Sequence, residues 1–286
     1  MFQGTVSGEN RRHGGWLEPK YNYYSWALSS LMLREQYPKV ELITDKMGKQ
    51  LLVDCMKLPY SKVSVELDFL DQYPTDLWAL GKIVSYAMQR SGFIHVDSDI
   101  FILERFSRKI ERASLIAQNA EHNLEFYSRT IDELKQNNFH LPSFMESNIH
   151  GTRQASNAGI FGGNDNQLFK NLEHEVFTFI EQNQNRFSRL SNLGMLNPFL
   201  EQLMFQSLVT RDNKKVTYYL DGINPDDSEM VLFHLAPFRS KRYIHVYSRT
   251  LKNDANVVRN VELMLHHRYP KVYFRLNSLL RDWKIC

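Results

Sequence analysis

Hydrophobic positions along the first hundred residues switch between two spacings. In "YNYYSWALSSLML", Tyr24, Ala27, Leu28 and Leu31 fall at i, i+3, i+4 and i+7, the period of an amphipathic helix. "KVELITD" then reads as a short strand ending at Asp45, and "KMGKQLLVDCM" as a second helix. "SKVSVEL", residues 61–67, alternates as a half-buried strand does. "TDLWALGKIVSYAMQR" predicts a helix with Leu80, Ile83, Val84, Ala87 and Met88 on one stripe, capped by Thr75 or Asp76. Gly92 then opens "GFIHVDSDIFIL", an apolar run holding two aspartates, Asp97 and Asp99.

This βαβαβ rhythm predicts an α/β fold with an open, mostly parallel central sheet flanked by helices. In such sheets ligands bind beyond the carboxyl ends of the strands, where Asp45 and Asp97 fall. The second half is less regular. Strands are expected at 113–119, 157–163 ("NAGIFGG"), 215–220 ("KVTYYL") and 231–235 ("VLFHL"), and helices at 121–137, 164–183 and 196–209. A polar stretch covers 137–156, and the chain from about 250 reads as helical. Without a linker or internal repeat, the expectation is a single domain over 1–286.

Composition narrows the class. With 286 residues, 43% of them hydrophobic, the chain can bury a sizeable core. A net charge of +3, with basic residues dispersed apart from "FRSKR" at 238–242, argues against nucleic acid. No run reaches the ~18–20 apolar residues of a membrane helix, and the N-terminal stretch lacks the apolar core of a signal peptide. Cys55 and Cys286 form neither a framework nor a metal spacing, which favours a reducing compartment. A cytoplasmic location is expected.

The two aspartates carry the chemistry. A carboxylate in an apolar strand costs several kcal/mol unless a positive partner neutralises it. Asp97 and Asp99 point to the same side if the strand stays extended through Ser98. A bend at the end of the run lets them converge on a point just beyond the sheet, where a hard divalent cation, Mn²⁺ or Mg²⁺, is the natural compensation. The alternative is a strand-end turn with two solvated aspartates.

In order along the chain stand "DSD" at 97–99, "SNAGIFGG" at 156–163, "NPFLEQLMFQ" at 197–206 and "LFHLAPFRSK" at 232–241. This set resembles the GT-A class of nucleotide-sugar glycosyltransferases, bacterial DxD proteins of unassigned specificity most of all and glycogenin-like and galactosyltransferase-like enzymes more distantly. The resemblance spans roughly residues 20–245 and implies a Rossmann-like GT-A fold. It also implies that Asp97, Asp99 and His234 hold the metal, which in turn holds the donor diphosphate. Lys241 resembles the lysine that contacts donor phosphates, although "LAPFRS" replaces the family's shorter, glycine-containing spacing, so Arg239 or Arg242 could serve instead. Asn157, Ala158 and Gly159 would line the sugar pocket, with Asp97 also on the donor side. Glu201 and Gln202 would sit beside the reacting carbon, Glu201 as acid–base group.

Each residue also has a plainer reading. His234 on an apolar strand can be structural, and Lys82 either reaches the donor or is solvated. Asp45 either caps a helix or meets the nucleobase or ribose. The resulting expectation is a metal-dependent glycosyltransferase (hexosyltransferase-like) using a nucleotide-diphosphate donor, a UDP-sugar by preference. Its acceptor is an unknown glycan, lipid-linked group or protein. A nucleotidyltransferase of similar fold is the rival enzyme, suggested by "SGENRRHGG" at 7–15. A non-catalytic nucleotide-sugar-binding or interaction protein is the rival outside enzymes.

Overall fold

The computed structural model describes residues 14–151, 153–220 and 243–281. Its principal elements, in chain order, are α1 (Pro19–Gln36), β1 (Glu41–Thr44), β2 (Lys62–Val65), α2 (Ala79–Ala87), β3 (Phe93–Val96) and β4 (Ile100–Ile102). There follow β5 (Ile116–Ala117), β6 (Ala120–His122), α3 (Glu125–Gln136), β7 (Gln154–Ser156), β8 (Ile160–Gly163) and α4 (Asn166–Asn183). The last are α5 (Met204–Arg211), β9 (Thr217–Tyr218), β10 (Tyr243–His245), α6 (Arg249–Asn253), α7 (Ala255–Arg268) and α8 (Pro270–Arg281). The described residues group into two compact units, one drawn from 1–71, 96–105 and 226–286, the other from 72–95 and 106–225.

The first unit is built around α1. Pro19 starts this helix at the one position where a missing N–H costs nothing, and Tyr37, forced extended by the following Pro38, ends it. From Tyr21 to Ser30 every residue is buried, because β4 packs against α1, as do α7 and α8. The helix is thus enclosed rather than amphipathic, and Leu31 is only half-buried. Tyr24, Leu28, Met32, Phe101, Ile244, Val246, Val257 and Val261 share one core. Within this unit β1 and β2 pair in parallel, Glu41 opposite Lys62, whereas β4 and β10 pair antiparallel.

The second unit carries a four-stranded sheet of order β3–β8–β5–β9 and a small antiparallel pair, β6–β7. β5 runs antiparallel to β8 and parallel to β9. Against the sheet, Tyr86, Phe93, Phe161, Phe169 and Phe205 form an aromatic cluster with ring centroids 4.5–6.0 Å apart. Each such ring contributes roughly 2–3 kcal/mol of apolar burial. The two glycines that end "NAGIFGG" are required by their neighbours in the sheet. Gly162 and Gly163 have φ of +142° and +134°, and a Cβ would meet the Phe93 carbonyl oxygen at 2.3 Å and the Ser114 carbonyl oxygen at 2.1 Å.

The α/β class holds, in small mixed sheets of two- to four-residue strands. The expected strand 113–119 shrinks to β5, and the expected helix 121–137 begins only at Glu125, because Ala120–His122 pairs with β7 inside the supposed polar stretch. "VLFHL" lies outside the described residues, while β10, which the sequence reading did not anticipate, supplies the partner of β4. The C-terminal part is helical as expected. Among the described residues no helix is long and apolar enough to cross a membrane. Cys55 is disulfide-bonded, where no disulfide framework and a reducing compartment had been expected.

Candidate metal centre

The "DSD" segment does not stay extended. After β3 the chain makes a tight turn, closed by the Ile100 N–H donating to the Asp97 carbonyl at 3.1 Å. Two serines of α1 hold the outside of this turn. Ser25 Oγ donates to the Ser98 carbonyl at 2.7 Å, and Ser29 Oγ to that of Asp97 at 3.4 Å. Small, fully buried residues at these positions let the turn approach the helix closely. The turn carries both carboxylates to the same side.

β10 then delivers the third group. The antiparallel register sets His245 opposite Ile100, and the Val246 N–H donates to the Asp99 carbonyl at 3.0 Å. One ligand atom each from Asp97, Asp99 and His245 lies within 4.8 Å of the others. His245 Nε2 is 3.4 Å from Asp99 Oδ1, without hydrogen-bond geometry, so the contact is electrostatic. That Oδ1 is itself buried and has no hydrogen-bond partner. Two carboxylates and one imidazole, with a buried carboxylate oxygen left over, form a donor set that could hold a divalent metal ion.

Part of the charge compensation is already present in the protein. Lys252, on α6, brings its Nζ to 2.9 Å from Asp99 Oδ2, both side chains 15% exposed. Burial works against ionisation of Asp99. The charge of Lys252, with His245 beside it, outweighs burial and holds the carboxyl well below the usual carboxylate range. Lys252 is itself positioned by the segment at 14–17. Its Nζ donates to the Gly14 carbonyl at 3.2 Å and lies 5.6 Å from the Trp16 ring centre, and its own carbonyl accepts the Leu17 N–H.

In the second unit the remaining expected residues form two networks, one buried and one half-buried. Lys82 Nζ contacts both oxygens of Glu201 at 2.8 and 3.0 Å, and Tyr86 Oη donates to Glu201 Oε1 at 2.6 Å. Glu201 is 2% exposed. Lys82 is therefore neither solvated nor free to reach a donor in this state, and Glu201 has no open oxygen with which to act as a base. Its neighbour Gln202 accepts the Ala158 N–H at 2.8 Å and donates to Tyr127 Oη at 3.0 Å. Tyr127 donates in turn to Glu121, which also accepts from Asn157 Nδ2 at 2.8 Å. Burial first, and then the Glu121 charge, push the Tyr127 hydroxyl well above its ordinary range. The Gly159 N–H donates to Asn157 Oδ1. Thus Asn157, Ala158, Gly159 and Gln202 do come together, through the connection between β7 and β8 held by side-chain amides, where a strand had been expected from 157.

Asp45 caps the turn after β1, its Oδ1 accepting the Gly48 N–H at 2.6 Å. His234, Lys241, Arg239 and Arg242 lie outside the described residues. The histidine seen beside Asp99 is His245, which sequence reasoning passed over. A signal for it existed: His245 and Lys252 repeat the seven-residue spacing of His234 and Lys241, eleven positions later.

A family model described as a family of unknown function, DUF6734, matches residues 4–279. No curated protein matches the chain.

Proposed function

The chain belongs to DUF6734, a family of unknown function, and from its own site we propose that it is a divalent-metal-dependent glycosyltransferase. The donor would be a nucleoside-diphosphate sugar, with a UDP-sugar preferred, and a GT-A arrangement is part of the same reading. The observation that carries it is the convergence of Asp97, Asp99 and His245 within 4.8 Å, with a buried Asp99 oxygen unpartnered beside Lys252. Asp97, Asp99 and His245 would hold Mn²⁺ or Mg²⁺. Bound there, the ion supplies Lewis-acid stabilisation of the charge that develops on the leaving diphosphate.

The chain's own residues do the rest. Lys252 balances Asp99 before a ligand arrives and offers its ammonium to an anionic donor afterwards. Glu201, held by Lys82 and Tyr86, acts as a positioning residue that fixes Gln202 and, through it, the Asn157–Gly159 backbone. The acid–base role first expected of Glu201 is not part of this reading. The Lys252–Asp99 distance also favours a second reading, in which the cluster is a structural ion pair without metal.

The test is a screen of nucleotide sugars with and without Mn²⁺, following release of nucleoside diphosphate, alongside calorimetric Mn²⁺ titration. The wild type should bind Mn²⁺ and release diphosphate from at least one donor. Asp99→Asn should do neither, and His245→Gln should bind Mn²⁺ about tenfold more weakly, ~1.4 kcal/mol. Absence of Mn²⁺ binding by the wild type would establish the ion-pair reading instead.

A further inference from the structure

We propose that the exposed face shared by α7 and α8 docks on an anionic lipid surface. The charge distribution points there first. Residues 249–281 hold seven Lys and Arg against two acids, a net +5, and of the seven only Lys252 and Arg268 are seen paired with an acid, Asp99 and Glu35, outside the segment. Both acids in this segment are engaged. Asp254 accepts the Asn256 and Val257 N–H groups as the cap of α7, and Glu262 accepts from Tyr273 Oη at 2.7 Å. Glu35, the acid reaching these helices from α1, is paired with Arg268 at 2.6 Å.

The helices bury one side and leave the other apolar and cationic at once. α7 turns Val257, Val258, Val261 and Leu265 inward, which places Arg259, Leu263 and His267 at i, i+4 and i+8 on the outer face. α8 buries Leu276 and exposes Lys271, Phe274 and Arg281. Phe274 is 60% exposed and Leu263 39%. The Phe274 ring stands edge-on to His266 of α7, centroids 5.5 Å apart, so the two outer faces are continuous.

A large aromatic and a leucine standing in water between arginines and a lysine suit few partners. A nucleic acid backbone would take the cations and leave Leu263 and Phe274 exposed. An anionic lipid interface takes both, the rings entering the headgroup boundary while the cations meet the charged headgroups. With no spanning helix among the described residues, the attachment would be peripheral and reversible.

The experiment is flotation of the full chain with vesicles of neutral phosphatidylcholine, or the same lipid with roughly one-third phosphatidylglycerol. Partition into the anionic vesicles alone is expected, falling about tenfold as salt is raised to several times the physiological level. Leu263→Ser with Phe274→Ser, and separately Lys271→Glu with Arg281→Glu, should each reduce partition about tenfold or more. Both variants should keep the wild-type melting curve and Mn²⁺ titration, since none of these residues belongs to the Asp97–Asp99–His245 cluster. No partition, equal partition into neutral vesicles, or partition unchanged in both variants overturns the proposal. Because the readout is binding to lipid, its failure leaves the metal-centre reading untouched.

Discussion

Lys82–Glu201 and Lys252–Asp99 are both lysine–carboxylate pairs largely withdrawn from water, yet they differ in what remains to be satisfied. Glu201 is enclosed at 3% side-chain exposure and receives Lys82 on both oxygens and Tyr86 on one. Asp99 has one oxygen on Lys252 and a second buried oxygen without a hydrogen bond. A fully satisfied buried pair holds structure, because any change leaves a charge uncompensated. A buried carboxylate with an unused lone pair has capacity for a cation. The difference separates a strut from a site by counting partners, without recourse to family motifs.

The comparison breaks first, if it breaks, at Lys82. Lys82→Met keeps the volume and removes the charge, leaving Glu201 buried and unpaired, and should cost about 3–5 kcal/mol in urea unfolding. Adding Glu201→Gln to it should recover much of that loss. An unshifted unfolding midpoint in the single variant would mean that Glu201 simply takes up a proton, and the strut would be no strut.

The matching change on the other side sharpens the contrast. Lys252→Met should destabilise less, since Asp99 keeps His245 and partial solvent access. It should also bind Mn²⁺ alone about tenfold more tightly, ~1.4 kcal/mol, because the incoming dication no longer displaces an internal cation. The same variant should lose affinity for a nucleoside diphosphate in the presence of Mn²⁺. If Mn²⁺ binding weakens instead, Lys252 positions Asp99 rather than competing for it.

The smallest effect concerns a third carboxylate, Asp45, which neither holds a lysine nor joins the cluster. Burial raises its pKa above the ordinary 3.8, with the Gly48 N–H opposing and the nearby Asp71 and Asp68 adding to the rise. A raised folded-state pKa stabilises the fold below the ordinary value, and that increment is lost as pH climbs through the folded value. Asp45→Asn keeps the cap and removes the titration. Stability should therefore fall in the wild type relative to the variant as pH rises above the ordinary carboxylate value. Parallel profiles would assign Asp45 no cost of charge burial.

Sequence periodicity located most helices and the α/β class, because long apolar stripes such as Leu80–Ile83–Val84–Ala87 survive whatever packs on them. It misjudged α1, since a helix covered by both a strand and two helices needs no polar face. It missed β10, three residues long, whose strand character comes only from pairing with β4. The convergence of Asp97 and Asp99 was legible from their spacing in an apolar run. Their partners His245 and Lys252 were not, because they reach the turn through the antiparallel register of β10 with β4 and not through local composition. Lys82 and Glu201 read singly as candidate donor contact and base, and only their mutual distance shows that they neutralise each other.

The dependence on β10 has a consequence in time. During synthesis the two aspartates emerge roughly 150 residues ahead of His245 and Lys252, which at ribosomal speeds is on the order of ten seconds. Throughout that interval the nascent chain carries the carboxylates without their counter-charges, so a stable β3–turn–β4 core has to wait for the last strand. The centre is thus completed only once β10 and α6 have emerged, and a chain stalled before them cannot display it.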